Sequence, residues 1–129
     1  MKVAIVCKNK KGLESEVSEH FGKAPYLAIF DSETLELIEI IENKNHHFGG
    51  QLSPPKFLKI NDIDELIVKT MGENALSSCN RFGMEVYLGA KKTVKETIKA
   101  YSEGELRIGK EGDEALHPSD PTLFFERKE

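Results

Sequence analysis

The first third of the chain alternates between apolar runs and polar stretches in a pattern that predicts three strands. Residues 2–7 are almost wholly apolar, which is typical of a strand covered on both faces of a sheet. Residues 26–31 and 35–42 form two further strand-like segments with a three-residue link between them. Such a short link favours an antiparallel hairpin, and the polar, glycine-containing residues 8–24 predict a loop with at most one helical turn.

After residue 60 the pattern changes to segments that alternate between strand and helix. The predicted elements are a strand over 63–70, a helix from the turn at 71–74 to residue 81, a strand over 84–88 and a helix over 93–102. Thr93 and Glu96 have the spacing of a capping box at the start of the last helix. Alternating elements imply parallel strands with helical crossovers, so we predict an α/β fold with a mixed five-stranded sheet: three antiparallel strands, then β-α-β-α, with helices on its faces.

Residues 104–129 lose this periodicity and contain two prolines, so we predict one domain over 1–103 and a C-terminal extension over 104–129.

The formal charge of −4 comes from this end of the chain. Residues 103–129 hold eight acidic and four basic side chains, whereas residues 1–102 hold fourteen of each. An acidic chain with a pI near 5.6 lacks the excess of basic charge that nucleic-acid-binding proteins use to contact phosphates, so no nucleic-acid partner is expected.

The composition suits a soluble globular protein, with 39% hydrophobic and 31% charged residues in a chain of 129. No segment approaches the roughly 20 apolar residues that span a bilayer, and the first strand is too short for a signal peptide. We therefore expect a cytoplasmic protein without a membrane partner. In that compartment Cys7 and Cys79 are expected to be buried thiols or soft metal ligands and not a disulfide.

Histidines in two loops are the first candidates for chemistry. His20 lies beside Gly22, which lets the chain bend, and an imidazole there binds a metal, shuttles a proton or satisfies a turn carbonyl. His46 and His47 precede Phe48-Gly49-Gly50, so the His-Phe-Gly sequence of residues 20–22 occurs again in a second loop. Adjacent residues of an extended loop point in different directions, so we expect one histidine of this pair to act.

A predicted sheet edge supplies the rest of a candidate site. If the first, fourth and fifth strands are adjacent, Cys7 and the turns at 71–74 and 89–92 meet where parallel strands end, which is where open α/β sheets bind ligands. Both later helices start there, so we expect free backbone N–H groups that attract an anion. Sulfur, imidazole and N–H donors suit a metal–sulfur ligand better than Mg²⁺ or Ca²⁺. The alternatives are a small buried hydrophobe at Cys7 and ordinary turn residues at Gly72 and Gly89.

Common catalytic motifs are missing from the sequence. It contains no phosphate-binding loop, no dinucleotide fingerprint and no Gly-x-Ser-x-Gly elbow. The predicted strand order also occurs in nucleases that bind two metal ions, but those enzymes need clustered carboxylates, and residues 2–7 contain no Asp or Glu. We predict no catalytic residue and no enzymatic activity.

Five sequence features carry a family resemblance over residues 1–102. They are the opening strand, the run Leu13-Glu14-Ser15-Glu16-Val17-Ser18-Glu19-His20-Phe21-Gly22-Lys23-Ala24-Pro25-Tyr26, the histidine-rich loop, Gly72-Glu73-Asn74-Ala75, and Gly89 with Thr93-Val94-Lys95-Glu96. In this order they resemble the dinitrogenase iron–molybdenum cofactor biosynthesis family of small proteins. The resemblance implies a ribonuclease-H-like fold for the predicted domain.

The resemblance also implies a non-enzymatic carrier or scaffold that holds an iron–molybdenum or related metal–sulfur cluster during cofactor assembly or delivery. His20 becomes the first metal-ligand candidate and His46 or His47 the second. The other candidate cofactor-binding residues are Gly22, Gly72, Asn74 and Gly89. Cys7 joins the candidate metal ligands from the predicted edge alone, because the family varies at that position. The implied partner is a cofactor-assembly or cluster-acceptor protein, and we expect a monomer or weak homodimer.

The same residues fit an alternative function, a regulatory module that binds a small anionic ligand or a protein partner. Two further features depart from the family pattern. Lys91-Lys92 stands where a glycine is expected before the last helix, and the extension continues past the usual core.

Overall fold

The computed structural model describes residues 1–19, 21, 24–43, 58, 59 and 61–109. The strands found there are β1 (Lys2–Cys7), β2 (Tyr26–Asp31), β3 (Leu37–Glu42), β4 (Ile63–Val68), β5 (Glu85–Leu88) and β6 (Arg107–Gly109). Helix α1 (Glu73–Arg81) joins β4 to β5, and helix α2 (Val94–Ser102) joins β5 to β6. A 3-10 turn at Gly12–Glu14 lies in the first loop.

The strands form one sheet in the order β3-β2-β1-β4-β5-β6. β1, β2 and β3 pair antiparallel, and β1, β4 and β5 pair parallel. This confirms the predicted ribonuclease-H-like α/β class, with three antiparallel strands followed by β-α-β-α. The predicted count of five strands is wrong, because β6 adds a sixth strand antiparallel to β5.

β6 escaped prediction because three residues are too few to show a period. Its strand geometry comes from pairing with β5, where Gly109 faces Val86 and Arg107 faces Leu88. β3 also starts later than predicted, at Leu37, because Leu35 has φ 64° in the preceding turn. The boundary between a domain and an extension at residue 103 stays a prediction.

The two helices cover opposite faces of the sheet, as the alternation along β1 shows. Ala4 and Val6 lie in the buried cluster that contains Leu76 and Cys79 of α1. Val3, Ile5 and Cys7 lie in the second cluster, with Val94 and Ile98 of α2. We call these sides the α1 face and the α2 face. The five β1 side chains from Val3 to Cys7 are fully buried, which confirms the predicted central strand.

Helix α2 begins with the predicted capping box. The Glu96 N–H donates to Thr93 Oγ1 at 3.2 Å, and the Thr93 N–H donates to Glu96 Oε1 at 3.3 Å. Val94 and Ile98 are buried, and half-buried Tyr101 continues this stripe one turn later.

Neither α1 nor α2, the helices that the structure describes, is long and apolar enough to cross a membrane.

The Tyr101 hydroxyl fastens α2 to the middle of the sheet. It donates to Glu65 Oε1 at 2.7 Å, and Glu65 is only 9% exposed. Burial, with help from Glu65, raises the pKa of Tyr101, so the hydroxyl remains a donor at neutral pH. Tyr87 makes a similar bond to Glu85 at 2.9 Å, but Glu85 is exposed.

We expect Tyr101→Phe to lower the free energy of unfolding by about 1.5–3 kcal/mol, because it leaves a buried carboxylate without this donor. Tyr87→Phe should lower it by less than about 1 kcal/mol, since water replaces the lost donor at an exposed carboxylate. Urea unfolding followed by circular dichroism measures both values in a chain without tryptophan. Equal losses in the two variants would contradict this account.

Candidate functional site

The ends of the three parallel strands lie side by side. β1 ends at Cys7, β4 at Val68 and β5 at Leu88, and we call this side of the sheet the carboxyl edge. The antiparallel strands bring two more segments to it, because Cys7 pairs with Tyr26 and Tyr26 pairs with Glu42. The carboxyl edge therefore collects the loop after β1, the chain after β3 and the starts of both helices.

The loops before α1 and α2 are bonded to each other. The N–H of Gly89 donates to the Lys69 carbonyl at 3.2 Å, and the N–H of Ala90 donates to the Val68 carbonyl at 3.1 Å. Gly89 has φ +96°, a conformation that side chains with a Cβ rarely adopt. Glycine at this position is therefore required by the turn itself, and its predicted role in binding a cofactor stays a prediction.

Residues 15–18, which we call the strap, lie across the start of α2. The N–H of Val94 donates to the Ser15 carbonyl at 3.0 Å, and the N–H of Val17 donates to the Lys92 carbonyl at 2.9 Å. The Thr93 N–H donates to Glu96 Oε1 and the Glu96 N–H donates to Thr93 Oγ1, so three of the four N–H groups that begin the helix have protein acceptors. The expectation of a freely available helix start is therefore wrong for α2.

The start of α1 is arranged differently. Its N-cap is Gly72, and no side chain among the described residues caps it. Gly72 has φ −68° and ψ 158°, which any residue adopts, and an added Cβ would meet no heavy atom of the described chain within 4 Å. Neither strain nor crowding requires glycine here, in contrast to Gly89. Its effect is that no described side chain caps the helix start, and we call this uncapped start bare. Exposed Asn74 lies in its first turn.

Two further segments reach the α1 face at the carboxyl edge. Phe21 and Ala24 are buried in the same cluster as Met71, which precedes α1. Buried Asn43 donates from its side-chain amide to the Ala24 carbonyl at 2.8 Å and from its N–H to the Pro25 carbonyl at 2.8 Å. The chain that follows His20 and the chain that precedes His46 are thus bonded together on the side of the bare helix.

The predicted site residues divide into two groups. His20, Gly22, His46 and His47 lie outside the described residues. Gly72 and Asn74 lie together at the start of α1, and Gly89 lies in the adjacent loop. Sequence reasoning missed Asn43, whose signal is an amide placed between a strand and a histidine-rich loop. It also missed Val17, an apolar residue in the polar segment 8–24.

Cys7 is fully buried on the α2 face, and its thiol donates to the Ile5 carbonyl at 3.3 Å. Burial raises the pKa of Cys7 to about 12 and the pKa of Cys79, on the α1 face, to about 11. Metals bind the thiolate, so these surroundings favour the reading of Cys7 as a small buried hydrophobe. Within the described ranges, no group of three or more His, Cys, Asp or Glu side chains is placed to hold a metal ion.

Comparisons with known proteins support one family. The family model described as dinitrogenase iron–molybdenum cofactor matches residues 1–104. The uncharacterized protein MJ0580 of Methanocaldococcus jannaschii is 29% identical over 110 residues, which cover 82% of this chain and 89% of that protein. The crystal structure of PH0822 has a TM-score of 0.69 at 30% identity and covers 84% of this chain and 96% of its own. The NMR structure of TM1290 from Thermotoga, described as a candidate NifB protein of the DUF35 family, has a TM-score of 0.68 at 33% identity, covering 83% and 91%.

The two glycines should respond differently to an added methyl group. We expect Gly89→Ala to lower the free energy of unfolding by about 1–2 kcal/mol, because alanine is strained at positive φ. Gly72→Ala should change it by less than about 0.5 kcal/mol, because the loss of the N-cap preference for glycine over alanine is offset by the lower entropy of the unfolded alanine chain. Chemical unfolding of both variants checks the contrast, and a loss at Gly72 as large as at Gly89 would refute it.

Both thiols should be protected in the folded protein. We expect Ellman's reagent at pH 8 to label Cys7 and Cys79 at least about 100-fold more slowly in the native chain than in urea, because reaction requires opening of the core. The single variants Cys7→Ala and Cys79→Ala assign the two rates. Rapid labelling of Cys7 in the native protein would contradict this expectation. It would show that the sulfur is accessible, and Cys7 would again be a candidate metal ligand.

Proposed function

We infer the function of this chain from its family, since it belongs to the dinitrogenase iron–molybdenum cofactor family, as its sequence predicts. We propose that it is a non-enzymatic carrier or scaffold that binds an iron–molybdenum or related metal–sulfur cluster during cofactor assembly or delivery. The proposed partner is a cofactor-assembly or cluster-acceptor protein. We propose that this chain acts in the cytoplasm as a monomer or weak homodimer.

One observation carries the proposal: three segments converge on the α1 side of the carboxyl edge. They are the bare start of α1, the buried pair Phe21 and Ala24, and Asn43 bonded to Ala24. His20 directly precedes Phe21, and His46 follows Asn43 by three residues, a reach of at most about 11 Å. Each loop is therefore joined within a few residues to a segment anchored on the α1 side, and this is the basis for proposing ligands from both loops.

The chemistry of this side suits the proposed cargo. Neutral imidazole binds iron and other transition metals, which makes His20 the first proposed ligand and His46 or His47 the second. A helix start attracts negative charge through its N–H groups and dipole, and metal–sulfur clusters bring anionic sulfide. Gly22, Gly72, Asn74 and Gly89 are proposed to shape the cradle. We leave Cys7 out of the ligand set, because its thiol is buried on the other face.

Anaerobic reconstitution tests the proposal directly. The full chain is incubated with ferrous iron, molybdate and sulfide, desalted without oxygen and assayed for iron and molybdenum per protein. We expect the wild type to retain both metals and His20→Ala to lose retention by about tenfold or more, because a ligand is gone. His117→Ala is the matched control, since it removes a histidine that lies outside the residues matched by the family. Equal retention in all three proteins, or none in any, would refute the carrier.

The bare start of α1 also favours a second candidate, a regulatory module that binds a small anion without metal. That function predicts no metal retention and a rise in the melting temperature of the metal-free protein with an anionic metabolite. The two candidates are therefore separated by metal analysis and a thermal shift on the same preparation.

A further inference from the structure

We propose that the strap orders the segment that carries His20 and that Val17 is the anchor through which it does so. This inference rests on the proposed function for its consequence, because an ordered segment matters to binding only if His20 is a ligand. The physical claim about order stands on the described residues alone.

The strap is held from both sides by its main chain. On the β1 side, the N–H of Lys8 donates to the Glu16 carbonyl at 2.8 Å, and the N–H of Ser18 donates to the Val6 carbonyl at 2.9 Å. On the α2 side lie the bonds from Val17 N–H to Lys92 and from Val94 N–H to Ser15. Each strap residue thus contributes one main-chain group to a neighbouring element, as a short strand does.

Side chains of the strap also reach the core, except that of Glu16, which is exposed. Val17 is 1% exposed in the α2-face cluster that contains Cys7 and Val94. Ser15 is fully buried, and its hydroxyl accepts the N–H of Lys11 at 2.8 Å. Val17 is therefore the apolar contact that keeps the strap seated between the end of β1 and the start of α2.

A short connection leads from the strap to the opposite face. Val17 belongs to the α2-face cluster and Phe21 to the α1-face cluster, so the chain crosses the carboxyl edge between them. Three peptide steps from Ser18 to Phe21 span at most about 11 Å, so the strap and the buried Phe21 are joined by a short tether. A displaced strap would therefore displace this segment, and metal ligation tolerates errors of only about 0.5 Å.

The test compares two valines of the same cluster. Val17→Ala and Val3→Ala each remove the same two methyl groups from a fully buried site, and Val3 lies at the start of β1, away from the carboxyl edge. We expect both to lower the urea midpoint by similar amounts. Only Val17→Ala should speed amide hydrogen exchange of residues 19–21, by about tenfold or more, and lower cluster retention about fivefold in buffer where both variants are folded.

A shape-conserving variant separates position from stability. Val17→Thr keeps the branched side chain but buries a hydroxyl, so we expect a lower urea midpoint with exchange at residues 19–21 and cluster retention close to wild type. The proposal is overturned if Val3→Ala changes exchange at 19–21 as much as Val17→Ala does, or if neither changes it. If the wild type retains no cluster, the proposed function fails, and the exchange comparison still decides whether the strap orders this segment.

Discussion

Parallel pairing of β1 with β4 and of β4 with β5 is the constraint on which the rest of this molecule depends. Parallel neighbours require a crossover that carries the chain back along the sheet, so α1 begins at the carboxyl edge. α2 begins at the same edge because it follows β5, which ends there. The bonds from Gly89 and Ala90 to the end of β4 then hold the two helix-leading loops together. The start of β2 and the end of β3 lie at the same edge, and Asn43, just after β3, is bonded there to Ala24, just before β2.

The two helix starts at this edge differ in what they offer a ligand. Three of the four N–H groups at the start of α2 are used by the strap and by the capping box, so an anion bound by those groups would have to displace protein hydrogen bonds. The start of α1 follows a glycine that neither packing nor backbone strain explains. An N-cap with a side-chain oxygen would stabilise the helix slightly more, and the first turn without one is a place where a bound anion would be stabilised. The family assignment, with Ala24 and Asn43 bonded together on this same face, is the support for the proposed metal–sulfur cargo.

Much of the fold was predictable because its signals are local. The apolar run of β1 and the capping box of Thr93 and Glu96 each arise within a few residues, and both are present in the structure. β6 and the strap were not predictable, since three- and four-residue segments acquire their geometry from partners elsewhere in the chain. Val17 shows the difficulty well: one valine in a polar loop gives no period, and its burial depends on Cys7 and Val94.

The sequence by itself determined the family, the order of the elements from β1 to α2 and the residue types that can reach the carboxyl edge. Periodicity, caps and motifs are properties of neighbouring residues, so they can be recognised before folding. Only the tertiary structure decided that α2 is closed while α1 is bare, and that Cys7 faces the core. Those outcomes depend on which distant groups become hydrogen-bond partners, as when Ser15 accepts the first donor of α2, and no local pattern encodes that pairing.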